Sequence, residues 1–363
     1  MHVRPLRAAA IPRRVDGAHA CTAKIIGFRQ TGVTVQRSII ARAASTTSTG
    51  SAAEELGIYD VGVAMVQGLR DAMEDYTHVE YDTKTGCLFV GVYDGHGGPP
   101  AADWLSSNLH GLMSARVAGA GGRKADAAAM EVAMAATFAD ADAKVMSDAG
   151  STGTVVLIAP GVLSSANVGD SSAVLLRKNQ ALDLTTPHRV YGPGPVVKTE
   201  VARVKATGAW VYAGRVCNIL AVSRAFGDWE MKGKGLATLL QAGVEREYWE
   251  KDFADKQSFT SDPVIVDPAF SSTPLRDDDE VLVVATDGLW DVMPMNEVMR
   301  FAKNKLKTGQ TAQQTAEALC AAALQRKSTD NVSVVVLDFK GKEHWEEQAP
   351  EGGAGFMGMF GNR

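Results

Sequence analysis

The sequence predicts an α+β fold in which antiparallel sheets are covered by helices, and three observations carry that prediction. Short apolar runs with strand character are grouped together instead of alternating strictly with helical segments. Two of the gaps between them, at Pro160-Gly161 and Gly169-Asp170, are too short for a crossover helix and suit antiparallel neighbours. Finally, no GxGxxG opens a helix after the first strand and no Walker loop is present, which disfavours a simple βαβ nucleotide-binding fold.

Organised sequence begins near Leu56. Residues 61–65 read as a short strand. Residues 87–93 (CLFVGVY) form a continuous apolar run, as expected of a strand buried on both faces or in a sandwich core. The run stops at the turn-rich 94–98 (DGHGG). Amphipathic spacing predicts a helix over 101–113, and an Ala-rich stretch with Met and Phe on one face predicts another over 125–146. Strands follow at 154–158, 162–168 and 172–176. Residues 197–206 have helical spacing, ended by Gly208. A strand at 281–285, helices at 296–307 and 312–325, and a strand at 332–337 complete the series. The segment 343–363, polar and then Gly-rich, is expected to be a disordered tail.

With 363 residues, 45% hydrophobic and 22% charged, the chain can bury a sizeable core. The net charge of −5 hides an asymmetry. Residues 1–53 contain seven Arg, Lys24 and Asp16, a net of +7, which leaves −12 on the remainder. So acidic a body is a poor generic partner for nucleic acid or anionic lipid. The basic segment, rich in Arg, Ala, Ser and Thr, reads as an organellar transit peptide with the chloroplast favoured over the mitochondrion. No apolar run reaches the roughly 20 residues of a membrane span. Cys21, Cys87, Cys217 and Cys320 show neither CxxC spacing nor a paired framework, which argues against a disulfide scaffold or a zinc site.

Three aspartates sit at or beside the ends of apolar strands: Asp94 after LFVGVY, Asp287 after VLVVAT and Asp330 before VSVVVL. Taken singly, each reads as a turn residue. Taken together, with Glu74 and Asp75 near the first strand, they suit a hard divalent cation such as Mg²⁺ or Mn²⁺, which takes oxygen ligands. His96 by itself reads somewhat more readily as a loop histidine than as a catalyst.

Seven motifs in order across residues 56–340 resemble the metal-dependent type 2C protein phosphatases: QGLRDAMED at 67–75, VYDGHGG at 92–98, GSTGT at 150–154, ANVGDS at 166–171, LAVSRAFGD at 220–228, ATDGLWDV at 285–292 and STDNVS at 328–333. The resemblance implies a four-layer α-β-β-α sandwich as the catalytic domain, over 54–342. It also implies hydrolysis of phosphoserine and phosphothreonine by a water activated between two ions. Asp94 would bridge both ions, and Asp287 and Asp330 would complete the ligands of one. The carbonyl of Gly95 would bind the other, with Glu74 and Asp75 holding it largely through water. Arg70 would grip the phosphate and His96 would protonate the leaving oxygen. Asp170 and Asp291 match positions that, with Asp287, hold a third and weaker ion in family members. One element departs from the family: TPHRV at 186–190 has Pro187 and Val190 where Asp and Pro are usual.

Substrate choice is expected to lie in a flap and insert over about 191–262, including 243–253 (GVEREYWEKDF). This segment and the QGLR start look like the thylakoid-associated members that act on the light-harvesting antenna of photosystem II. Higher-plant members of that type carry a C-terminal apolar anchor. The segment FMGMF at 356–360 does not match such an anchor, which argues against tight membrane anchoring and leaves room for peripheral association. A monomer is expected. The alternatives are a mitochondrial phosphatase of a metabolic enzyme complex and an inactive binding module on the same fold. The second conflicts with the presence of every metal carboxylate.

Overall fold

Residues 59–347, except Met146, are described by a computed structural model of the chain. In the first half, strands β1 (Asp60–Val66), β2 (Asp75–Asp82) and β3 (Cys87–His96) lead into helices α1 (Pro100–Gly119) and α2 (Ala127–Asp142). Strands β4 (Gly150–Ser151), β5 (Gly153–Ala159), β6 (Val162–Val168), β7 (Ser172–Arg177) and β8 (Gln180–Asp183) follow. The middle holds α3 (Pro195–Ala206), β9 (Val211–Tyr212), β10 (Arg215–Val216), β11 (Phe226–Gly227), α4 (Leu236–Glu245) and α5 (Lys251–Ala254). The last part contains β12 (Ala269–Pro274), β13 (Asp279–Ala285), α6 (Asp287–Trp290), α7 (Met295–Lys307), α8 (Ala312–Gln325), β14 (Val332–Asp338) and α9 (Lys342–Glu347).

Two antiparallel sheets form the body. One has the order β1-β14-β13-β7-β8; the other runs β11-β4-β3-β5-β6-β12, with β2 added to the outer side of β3. The continuous apolar runs are explained by burial on both faces, and the period of two is still visible within them. In β3, Leu88, Val90 and Val92 enter the core between the sheets, while Cys87, Phe89 and Tyr93 face α1 and α2. In β13, Leu282 and Val284 point to the other sheet, and Val281, Val283 and Ala285 pack on the layer of α7 and α8. The sandwich thus has helices on both outer faces. Helix α8 is fixed at its start by a capping box between Thr311 and Gln314.

Three details differ from the sequence reading. The short Gly169-Asp170 turn does not join paired neighbours. Strand β6 pairs with β5 and β12, whereas β7 pairs with β13 and β8 in the opposite sheet. Gly169, at φ +85, makes the crossing, a conformation that glycine adopts without a Cβ penalty. Strand β2 (DYTHVEYD) was not legible, because a half-polar outer strand lacks an apolar run. The segment expected to be a disordered tail from 343 begins instead as α9. Its Trp345 is 2% exposed, joins the core under α7 and donates from Nε1 to Asp338 Oδ2 at 2.8 Å. An amphipathic anchor of one tryptophan was too short to register as periodicity. The expected transit peptide at 1–53 and the rest of the tail lie outside the described residues.

The flap has a small core of its own, built from Val204, Val216, Leu239, Trp249, Ala254 and neighbours. Trp210 meets both Trp249 and Phe253 edge to face, with centroids 5.0 and 4.8 Å apart. The insert's aromatics therefore hold the flap together and do not face outward. Trp249→Ala is expected to cost the flap about 3–5 kcal/mol of local stability. Hydrogen exchange should report faster exchange across 200–254 with the sandwich strands still protected.

Glu200 ties α3 to the Ser223-Arg224 segment within the flap. It accepts from Ser223 Oγ at 2.6 Å and from Arg224 Nη2 at 2.8 Å, and pairs with Arg203 at 3.2 Å. Burial alone would raise its pKa, but the bonds from Arg224 and Ser223 bring it down to about 2. Because the folded value lies below the unfolded one, the stabilisation is complete above the ordinary carboxylate range. It is lost as pH falls from there toward 2. Glu200→Gln should destabilise the protein by roughly 3–5 kcal/mol at neutral pH, because it removes the buried carboxylate that two part-buried guanidinium groups share. Its denaturation midpoint should also respond less to acid than that of wild type.

Candidate metal centre and phosphate site

The carboxylates meet at one end of the sandwich because the strands that carry them end there. Asp94 lies two residues before the end of β3, and both its backbone N–H and its carbonyl are bonded to Thr152. Its N–H donates to Thr152 Oγ1 at 3.1 Å, and its carbonyl accepts from Thr152 N at 2.9 Å. Asp170 sits at the crossing between the two sheets, and Asp287 opens α6 directly after β13. Oxygens of Asp94, Asp170 and Asp287 all lie within 4.8 Å of one another. Asp75 lies behind them, opposite Asp94 in the β2–β3 register, and accepts from Thr286 Oγ1 at 3.0 Å. Glu74 is placed by its backbone, whose N–H donates to Asn331 Oδ1 at 2.7 Å and whose carbonyl accepts from Gly95 N at 3.2 Å.

Such a cluster is electrostatically strained. Burial, then the charges of Asp75 and Asp287, push Asp94 well above the ordinary carboxylate range. Burial and the neighbouring Asp170 and Asp291 do the same to Asp287. Asp75 is pushed up to about 7, chiefly by burial. Convergent oxygens that resist ionisation fit a hard divalent cation, whose charge would reverse these shifts.

The sequence reading missed one internal cation. Arg189, in the departing TPHRV element, reaches into the same acids. Its Nε donates to Asp170 Oδ2 at 2.9 Å and its Nη1 pairs with Asp291 Oδ1 at 2.8 Å, while Nη2 lies 3.6 Å from Asp287 Oδ2. The guanidinium also lies over the Tyr191 ring, 4.9 Å from its centroid. Asp170 and Asp291 are thus already joined by a protein cation, and a third ion would have to share them with Arg189. The turn is held by Ser223, whose N–H donates to the His188 carbonyl at 3.0 Å, so Pro187 and Val190 do not leave it loose.

Arg70 and Asp330 form a second group. Arg70 Nη2 donates to Asp330 Oδ2 at 2.6 Å, and the arginine side chain is 54% exposed at the cleft. Beside it, the buried Asn331 donates from Nδ2 to the carbonyls of Gln67 at 2.8 Å and Ala72 at 3.0 Å. The STDNVS motif thereby clamps the QGLRDAMED loop. That role was hidden in sequence, because the two segments lie more than 250 positions apart.

The third group is built on His96. Its Nε2 lies 2.9 Å from both oxygens of Asp228, a buried residue at φ +53 that ends the LAVSRAFGD motif. Burial alone would lower the histidine's pKa, but Asp228 outweighs it and the net shift is upward. Gly150 makes room for the pair: a Cβ there would come within 2.3 Å of both His96 Nε2 and Asp228 Oδ2. Asp228 had a place in a motif but no role until the fold brought it to His96.

A two-sheet sandwich whose strand ends gather carboxylates, a phosphate-grade arginine and a carboxylate-backed histidine defines a metal-dependent hydrolase of phosphate esters. The comparisons agree. The family model "Protein phosphatase 2C" matches residues 59–332. "Protein phosphatase 2C 57" of Arabidopsis thaliana is 35% identical over 296 residues, covering 78% of this chain and 76% of the relative. "Probable protein phosphatase 2C 2" of Oryza sativa subsp. japonica is 29% identical, covering 78% and 73%. The crystal structure of a serine-threonine phosphatase 2C from Toxoplasma gondii shares the fold, with a TM-score of 0.57 at 19% identity over 78% of this chain and 95% of that one. The chain belongs to the protein phosphatase 2C family of metal-dependent protein serine/threonine phosphatases.

Proposed function

We propose that this phosphatase removes phosphate from serine and threonine of light-harvesting antenna proteins in the chloroplast, using the cluster around Asp94 as its metal centre. The convergence of Asp94, Asp170 and Asp287 oxygens is the observation that carries the chemical part. Asp94 would bridge two ions, Asp287 and Asp330 would complete one ligand set, and the Gly95 carbonyl, Glu74 and Asp75 would serve the other. Bound Mg²⁺ or Mn²⁺ would supply Lewis acidity and a water acidic enough to attack phosphorus near neutral pH.

The remaining work falls to side chains. Arg70, exposed and held by one carboxylate oxygen, would turn its planar fork to two phosphate oxygens, a match that lysine cannot reproduce. His96 would donate a proton to the departing seryl or threonyl oxygen. Asp228 raises the pKa of the imidazole against the effect of burial, which favours the protonated form that a general acid must start from. Arg189 would hold Asp170 and Asp291 in place between turnovers.

The metal centre sees only phosphate, so choice among phosphoproteins must come from neighbouring surface. The Arg-rich composition of residues 1–53 supports plastid import, and the flap supports the antenna substrate. Since the insert's aromatics are packed inside, docking would fall to its outward acids Glu245, Glu247 and Asp252. Replacing these three by serine is expected to leave aryl phosphate hydrolysis within a few-fold of wild type. Turnover of phosphorylated antenna in isolated thylakoids should fall by at least about tenfold, a loss of some 1.4 kcal/mol in productive binding. Equal rates on both substrates would remove the insert from substrate choice. Import of a reporter fused to residues 1–53 separates plastid from mitochondrion.

A further inference from the structure

A second cluster of metal-binding side chains lies away from the phosphate site, between β2 and α1. His78 and Glu80 are two apart on β2 and so share one face of the strand. Helix α1 brings His110 onto that face. His78 Nε2 lies 3.0 Å from Glu80 Oε2, and His110 Nε2 lies 3.5 Å from the same oxygen. Ligand atoms from all three residues fall within 4.8 Å of one another. We propose that His78, Glu80 and His110 form a binding site for a first-row divalent transition ion such as Zn²⁺, separate from the carboxylate centre.

The donor set decides the class of ion. Two imidazoles and one carboxylate are the three-ligand set of many zinc sites that leave a fourth position for water. Imidazole nitrogen favours Zn²⁺, Co²⁺ or Ni²⁺ over the Mg²⁺ suited to the all-oxygen centre. The surroundings agree. Phe89, 3% exposed, stands edge-on to both rings and forms an apolar wall. On the open side, a cavity of about 260 Å³ is lined by Glu80, Asp82 and His110, with room for an aquo ligand.

His110 is also available for ligation. Its Nε2 faces the Glu80 carboxylate, and its Nδ1 is buried with no hydrogen-bond partner among the described residues, so no second group holds the ring in place. The two rings are stacked, 4.0 Å between centroids and 12° between planes. Parallel lone pairs do not converge on one ion, so binding requires the rings to tilt apart. Their side chains are 24% and 29% exposed, which leaves space for that movement.

The test is calorimetric titration of the full chain with Zn²⁺ in saturating Mg²⁺, which masks the carboxylate centre. Wild type should bind about one Zn²⁺ per chain, and His78→Gln or His110→Gln should each weaken binding at least about tenfold, in line with loss of one ligand. Asp94→Asn should retain the event. X-ray absorption of the Zn²⁺ form should show nitrogen neighbours at about 2.0–2.1 Å. Phosphatase activity with Mg²⁺ and the far-ultraviolet spectrum should be unchanged in the histidine variants. If either variant misfolds, Glu80→Gln carries the same test on a side chain that is 52% exposed. No Zn²⁺ event in wild type would overturn the proposal. So would equal affinity in the wild type and the variants, or an event that disappears only in Asp94→Asn.

Discussion

Asp94→Asn is expected to lower phosphatase activity by at least about 10³-fold, with no loss of metal-free stability. Several kcal/mol of transition-state stabilisation should depend on the ions that this carboxylate is proposed to hold, and each 1.36 kcal/mol is a factor of ten in rate. An amide cannot offset the repulsion between two cations. The stability side follows from the cluster itself. Burial and the charges of Asp75 and Asp287 oppose ionisation of Asp94, so its charge works against the metal-free fold. Removing that charge should leave the metal-free melting temperature equal or higher. Calorimetric titration with Mn²⁺ should show both tight sites lost or badly weakened. Near-native activity would rule out the dinuclear reading; a melting temperature well below wild type would mean that Asp94 is chiefly structural.

His96→Ala should separate substrates by their leaving groups. A seryl or threonyl oxygen needs a proton as it departs, and a positioned general acid contributes about 10²–10⁴-fold. A nitrophenolate leaves readily without one. The variant is therefore expected to lose about 10²–10⁴-fold on a phosphothreonine peptide and less than about tenfold on nitrophenyl phosphate. Asp228→Asn gives the companion result. Asp228 outweighs the burial that would otherwise lower the His96 pKa, so the amide should shift the alkaline limb of the peptide pH–rate profile to lower pH. Equal losses on both substrates would assign His96 to positioning alone.

The sequence carried much of this because the chemistry is attached to local signals. Uninterrupted apolar runs announced the central strands, and an abrupt stop in Asp-Gly or Thr-Asp-Gly marked where each would release a carboxylate. Strand ends are rigid, so acids placed there can be aimed at one point without loops to position them. Asp94 and Asp287 were legible for that reason. Strand β2 was not, since its sequence alternates polar residues that pack only because β3 and α1 lie beside it.

The residues that support the acids belong to the tertiary structure. His96 and Asp228 are 132 positions apart, and Asn331 reaches Glu74 across 257. No periodicity of 2 or 3.6 encodes such pairs; sheet order and the crossing at Gly169 do. Arg189 shows the same limit, because a single arginine after a proline and a histidine carries no signal of its destination. The insert shows it from the other side: that its Trp249 and Phe253 meet Trp210 is set by the folding of the flap and by no local pattern. By itself the sequence determined the central apolar strands, the acids at their ends and the family resemblance, because backbone pattern and residue chemistry are local. Which acids share a cation, which histidine is backed by a carboxylate and which aromatics are buried were decided only by the tertiary fold, because each depends on distances between segments remote along the chain.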